Sequence, residues 1–368
     1  MVVVMNLRAN LLALYRRQPY EQMPPVFTFC PGLEAEYRRR YGDGPSAEER
    51  FGCASTNFWM SAPTEGGARD WSTYYDFDLT EGATFDMWGV AHELGSEAAH
   101  HMTRMRHPLA NARTVADITA YPMPDYELAD VADLRRRVDA AHAQGLAFVG
   151  EMACTVWESA WYMRSMEALM ADMADDSPVA TALLDRVTAI NTRRAEIYAE
   201  VGADIIALGD DVGTQRALLM SKRMYQQWIR PRHALIIAAA KAVKPDLLVQ
   251  YHSCGHVTPL IDDFISAGID ILNPVQPECM DVPDVLRRFA GRISFNGTIG
   301  TQSTMPHGTP DEVRAITIRN LELAGPNGGL LACPTHLLEP EVPWENIEAY
   351  VDACRDWQPK ACAAQRAC

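Results

Sequence analysis

Residues 247–256 read LLVQYHSCGH. A short apolar run, Leu247-Leu248-Val249, leads into Tyr251-His252-Ser253-Cys254-Gly255. In a strand, residues i and i+2 face the same side. His252 and Cys254 therefore project together where the strand ends, and Gly255 lets the chain turn sharply. An imidazole beside a thiol suits a borderline-soft metal such as zinc. It equally suits a nucleophilic thiol beside a base. Structural zinc motifs use more than two ligands, so the pair also reads as a coincidence near a turn.

The same pattern, an apolar run closing on a polar residue, recurs on both sides of this stretch. Runs at 26–29, 146–150, 203–208, 269–275, 292–295 and 328–332 end at Cys30, Glu151, Asp210-Asp211, Gln276, Asn296 and Cys333. Helical periodicity fills the gaps at 128–144, 158–174, 178–200, 221–243, 257–267, 282–290, 310–324 and 343–357, with Ser221 placed to cap its helix. Further helices are expected at 6–17 and 33–41. Strand and helix alternating over short links predict a parallel sheet. Seven strands are legible, and an eighth is expected near 51–60 or 83–90. That count favours a (β/α)8 TIM barrel over an open doubly wound sheet. A Gly-x-Gly-x-x-Gly turn and a Gly-x-x-x-x-Gly-Lys loop are both missing, which argues against dinucleotide and phosphate-loop folds.

The chain of 368 residues, 48% hydrophobic, is long enough for one large core. The reading is a single barrel domain over 1–368, with 45–125 as a less regular excursion near one end and 358–368 as a flexible tail. Within the excursion, 71–77 and 83–90 are expected to pair antiparallel. A net charge of −15 disfavours nucleic acid and anionic membranes as partners. No apolar run approaches the ~20 residues of a membrane span, and the N-terminus lacks the order of a signal peptide. The expected location is cytoplasmic. Nine cysteines, an odd number, are then reduced thiols rather than a disulfide frame. The outer helices and the excursion could support a homodimer.

A barrel places its chemistry at the C-terminal ends of its strands. Asp211 is a candidate acid or base. Asp210 and Tyr251 are candidates for touching substrate, although one aspartate of the pair could instead cap a turn beside Gly209 and Gly213. Glu151, Gln276 and Asn296 are candidates for positioning substrate or tuning the site. A third metal ligand is offered by His336 or by Cys333, giving the three-ligand, one-open-position form of catalytic zinc sites.

Four ordered motifs, 209–215 (GDDVGTQ), 251–255 (YHSCG), 272–277 (LNPVQP) and Pro334-Thr335-His336 through Pro343-Trp344-Glu345-Asn346, resemble the uroporphyrinogen decarboxylase superfamily. The resemblance is dense from about Glu151 to Tyr350 and thin before it. It implies a (β/α)8 barrel and one of two activities. The decarboxylase branch is cofactor-free and clamps tetrapyrrole carboxylates with arginines; its Arg-Gln-Ala-Gly-Arg-Tyr segment is missing here, and Phe27-Thr28-Phe29-Cys30-Pro31-Gly32 stands in its place. The corrinoid-dependent methyltransferase branch carries a His-x-Cys zinc pair, matched by His252 and Cys254. Its thiol-specific members take a third ligand, a Cys, seven residues before the Pro of the last helix. Here that position is His336, with Cys333 as its neighbour, and the departure leaves O-demethylation open. The resemblance thus implies bound zinc, a small methyl donor or acceptor of aryl methyl ether or thiol type, and a partner protein carrying the corrinoid (cobalamin), since this chain has no Asp-x-His-x-x-Gly motif. Two rival readings are a decarboxylase centred on Asp211 and a non-catalytic barrel that binds a corrinoid or small ligand.

Overall fold

The computed structural model describes residues 5–359 except 65, 67–68, 96–102 and 326–328. Cys362 and Cys368, most of the expected tail and the first residue of the 328–332 run lie outside the described residues. Seven strands form one curled, wholly parallel sheet: β1 (Ser55–Trp59), β2 (Ala147–Ala153), β3 (Ile205–Gly209), β4 (Leu248–His252), β5 (Ile271–Asn273), β6 (Ser294–Asn296) and β7 (Leu330–Leu331). Each pairs with the next in chain order. Helices cross between consecutive strands from β2 onward and cover the outside, giving the expected TIM-barrel-like α/β fold. The β3 run is buried throughout because it packs on both faces. In β4, Val249 and Tyr251 pack outward in full burial, while Gln250 and His252 are half-buried and line the barrel interior.

The N-terminal helix Leu7–Tyr15, capped by the Asn6 side chain, closes the opposite end of the barrel. Arg8 forks onto Asp204 at the start of β3. The Ser294 hydroxyl donates to Tyr15 O at 2.6 Å, and Gly329 N–H donates to Leu14 O at 2.9 Å. Leu11 and Tyr15 therefore form the floor of the interior.

Several expectations need correction. The run at 26–29 is extended but joins no ladder. It holds a single bridge, Phe29 to Leu338, with Leu338 N–H on Thr28 O and Cys30 N–H on Leu338 O. Pro24 and Pro25 bring no N–H groups to this edge. The segment fills the gap in the ring between β1 and β7, lining the interior with both. The ring's first strand is 55–59, not 83–90. The expected pairing of 71–77 with 83–90 is replaced by an antiparallel sheet of 84–85, 91–94 and 103–106, while Trp71–Tyr74 is a 3₁₀ turn capped by Asp70. The helix expected at 158–174 is two helices, Trp157–Arg164 and Met166–Ala174. Ser165, at φ 77°, breaks it and caps the second. The helix started by Ser221 runs to Val243 through a π-helical turn at Tyr225–Ile229. Pro231 cannot donate, so the ladder shifts register just before it. Among the described residues, no helix is long and apolar enough to cross a membrane.

Candidate metal centre and its two cavities

β4 ends at His252, and the turn after it carries Cys254. The loop after β7 brings His336 over from the far side of the ring. One donor atom from each of the three lies within 4.8 Å of the others. The Cys254 sulfur is 3.3 Å from His252 Nε2, and the two imidazole rings are 5.9 Å apart. Cys333, the alternative third ligand, stands outside this group. It is buried, and its thiol donates to Asn296 Oδ1 at 2.9 Å.

The hydrogen bonds around the trio orient it. His252 Nδ1 is 2.6 Å from Asn273 Oδ1, while Asn273 Nδ2 donates to Asn296 O and Oδ1 at 3.0 Å each. The amide oxygen can only accept, so the His252 proton sits on Nδ1 and the Nε2 lone pair faces Cys254. Asp211 Oδ1 accepts the Cys254 N–H at 2.7 Å and lies 3.9 Å from His252 Nε2. Gln276 Oε1 accepts the Gly255 N–H at 2.9 Å. At Gly255, φ is +87° and a Cβ would meet Thr214 O at 2.6 Å, so only glycine makes this turn.

The surroundings of Cys254 and His336 favour the neutral form of each in the absence of an ion. Burial, then Asp211 and Glu158, push the Cys254 thiol up to about 12, so it stays protonated without a metal. The surrounding protein mass and then His252 hold the His336 imidazole below its usual value, with Asp211 and Glu339 opposing. Two imidazoles and a thiol are borderline-soft donors of the kind zinc takes, and three of them leave room for a further ligand.

The other predicted residues divide. Glu151, within the C-terminal half of β2, faces the interior and accepts from Asn57 Nδ2 at 2.6 Å; burial raises its carboxyl. Asn296 is the hub beneath His252, its Nδ2 reaching Tyr15 OH and Gln250 Oε1. Asp210 and Tyr251 are not brought to the cavity. Asp210 is fully buried, caps the helix Trp157–Arg164 through Val156 and Glu158 N–H, and pairs with His233 Nε2 at 2.6 Å. Tyr251, also fully buried, donates to Asp210 O at 3.0 Å. A place in direct contact with substrate does not fit either side chain.

Sequence reasoning gave no role to Asn273, Gln250, Asn57 or Glu158. Gln250 was legible as the i−2 neighbour of His252 on the same face, whereas Asn273 lay inside the expected 269–275 run and became a strand end only in the structure. Asn57 had no fixed register. Glu158 lies in the first turn of the helix Trp157–Arg164, which follows β2. Its carboxyl is pushed up to about 8, first by burial and then by Asp210 and Asp211, and Tyr162 OH donates to it at 3.0 Å.

Two cavities meet at the trio. The inner one, about 350 Å³, runs from the floor residues Leu11 and Tyr15 up to His252 and His336. The outer one, about 490 Å³, is bounded by Cys254, Gln276, His336 and the loops carrying Thr301, His307 and Glu339. His336, Thr335 and Leu337 wall both.

A sequence profile described as "Uroporphyrinogen decarboxylase (URO-D)" matches residues 72–357. Among solved structures, a methyltransferase from Methanosarcina mazei is similar over 95% of this chain and 98% of its own, with a TM-score of 0.66 and 19% identity. A psychrophilic glycoside hydrolase family 10 endo-β-1,4-xylanase covers 64% of this chain and 82% of its own at a TM-score of 0.40 and 13% identity. A B12-independent methionine synthase from Shewanella covers 65% and 68% at 0.43 and 12%. None of the curated proteins matches the chain.

Proposed function

The chain belongs to the uroporphyrinogen decarboxylase family, and from that premise we propose that it is a zinc-dependent methyltransferase. It moves a methyl group between a small substrate, of aryl methyl ether or thiol type, and a corrinoid carried on a separate protein. The observation that carries this reading is the convergence of His252, Cys254 and His336 from opposite sides of the ring. A cofactor-free decarboxylase has no use for such a donor set. The whole-chain likeness to a structure titled a methyltransferase is in keeping with methyl transfer.

In this reading His252 Nε2, Cys254 Sγ and the His336 imidazole hold the zinc. The bound ion supplies Lewis acidity toward an ether oxygen or a thiol sulfur. The chain's own residues do the positioning. Asn273 keeps the Nδ1 proton on His252 so that Nε2 is free to ligate. Asp211 and Gln276 hold the turn that presents Cys254 by accepting the N–H groups of Cys254 and Gly255. The inner cavity seats the small substrate out of water, beside the trio. The outer cavity, on the other side of the His336 loop, gives the partner protein's cofactor room to approach.

The test is the metal content of the protein as purified, with His252→Ala and His336→Ala alongside. About one zinc per chain, lost in both variants, is expected for an open three-ligand site. Methyl transfer to reduced cobalamin is then assayed from aryl ethers and thiols. No metal in any sample after zinc reconstitution sinks the reading and returns the decarboxylase to first place.

A further inference from the structure

The inner cavity has apolar walls, including Phe27, Val149, Ile205 and Leu331, and one carboxyl group, Glu151. Among the described residues that line it there is no lysine and no arginine. Away from the His252–His336 end, where the proposed zinc would sit, an anion entering this space would give up water without a countercharge from the chain. The Arg194 guanidinium lies behind the wall. Its Nη2 donates to the Glu151 carbonyl at 2.6 Å, and its charge stacks over the rings of Trp59 and Tyr126, at 4.4 Å and 5.4 Å.

The polar groups of the cavity are of two kinds. Asn273, Asn296, Gln250, Tyr15 and Cys333 bond to one another in a closed network beneath His252. On the β1–β2 side, the Asn57 to Glu151 bond uses one amide hydrogen and one carboxyl oxygen. The Asn57 amide oxygen and the second carboxyl oxygen remain for a guest.

We propose that the inner cavity selects a small uncharged substrate whose hydroxyl or ether oxygen is bound by Glu151 and Asn57, and that it rejects anionic thiols and carboxylates. What is done to that ligand rests on the methyltransferase reading; that the cavity binds it does not. Size agrees. About 350 Å³ is at the lower end of ligand cavities, so one substituted ring fits and a four-ring macrocycle does not. The protonation of Glu151 agrees too: burial favours its neutral form, against Asn57 and Arg194, and a neutral carboxyl can donate to an uncharged oxygen. A bound cation would instead require the ionised form.

The experiment is calorimetric titration with three probes that share a ring and differ in charge: 4-methoxyphenol, 4-methoxybenzoate and protonated 4-methoxybenzylamine. Zinc-loaded and metal-free protein are both titrated. The neutral probe is expected to saturate, with the charged ones at least about tenfold weaker. Glu151→Gln, which keeps the hydrogen bonding, is expected to bind the neutral probe within about threefold of the parent; Glu151→Leu and Asn57→Val are each expected to lose about tenfold. Circular dichroism melts confirm that the variants are folded, and Asn57→Val carries the test if Glu151→Leu is not. Equal or tighter binding of either charged probe to the metal-free protein overturns the proposal. So does no saturation by the neutral probe, or no effect of both Glu151→Leu and Asn57→Val. Neutral binding without zinc uptake or methyl transfer leaves this inference standing and removes the proposed function.

Discussion

His252 Nδ1 sits 2.6 Å from the amide oxygen of Asn273, at the end of the neighbouring strand. The register of β4 against β5 places the two residues directly opposite each other. One main-chain pairing therefore sets the tautomer of the imidazole, and with it the direction of its free lone pair.

Asn273→Ala removes that acceptor without touching a candidate ligand. Zinc affinity is expected to fall about ten- to hundredfold, the usual cost of losing a metal ligand's hydrogen-bond partner. Competition with a chromophoric chelator measures it. An unchanged affinity, in a variant that melts like the parent, takes Asn273 out of the site.

Cys333→Ser separates the two sulfurs near the trio. Cys333 gives its hydrogen bond to Asn296, and a hydroxyl can do the same. Zinc stoichiometry is expected to stay at the parental value. A fall in metal content, read by atomic emission, shows that Cys333 ligates and that its bond to Asn296 is exchanged when metal arrives.

Asp210→Ala tests a residue placed in full burial away from the cavity. It strips His233 of its partner and uncaps the helix Trp157–Arg164. Breaking a buried pair from one side costs about 3–5 kcal/mol. A clear drop in the denaturant midpoint is expected, while the folded fraction keeps its zinc. Parental stability combined with lost metal reverses this assignment.

Glu158 links stability to pH. Its folded-state carboxyl titrates at about 8, against an ordinary value of 4.5. The folded chain holds the proton over a window in which the unfolded chain has released it. Glu158 thus lowers stability progressively as pH rises from about 4.5 toward 8. Glu158→Gln is expected to flatten that decline and to raise the melting temperature at pH 8 by a few degrees while changing little at pH 4. Parallel curves for parent and variant across the window contradict the assignment.

Strand runs and their polar ends were legible because a parallel barrel buries both faces of each strand. Its β2–β7 runs are short apolar blocks whose C-terminal ends carry polar residues, several of which meet the interior. Val26–Phe29 carries the same signal and takes a stave's position, yet it makes no ladder. Periodicity reports burial and is blind to whether a partner edge supplies hydrogen bonds. The excursion was read least well because its small sheet is built from strands of two to four residues, too short for any period to show.

Local chemistry by itself determined the His-x-Cys pair, the glycine turn after it, the acidic character of the chain and the strand-to-helix alternation that implies a barrel. These depend on residues within a few positions of one another. Only the tertiary structure decided between His336 and Cys333, two residues three positions apart on one loop. It also separated Asp211 at the mouth from Asp210 behind the strand, and brought Asn57 from β1 to Glu151 on β2. The reason is geometric. Which side of a strand end a residue faces depends on the pairing register and on the turn that follows. Which groups converge inside a closed ring depends on strands far apart in sequence, and no local spacing encodes that.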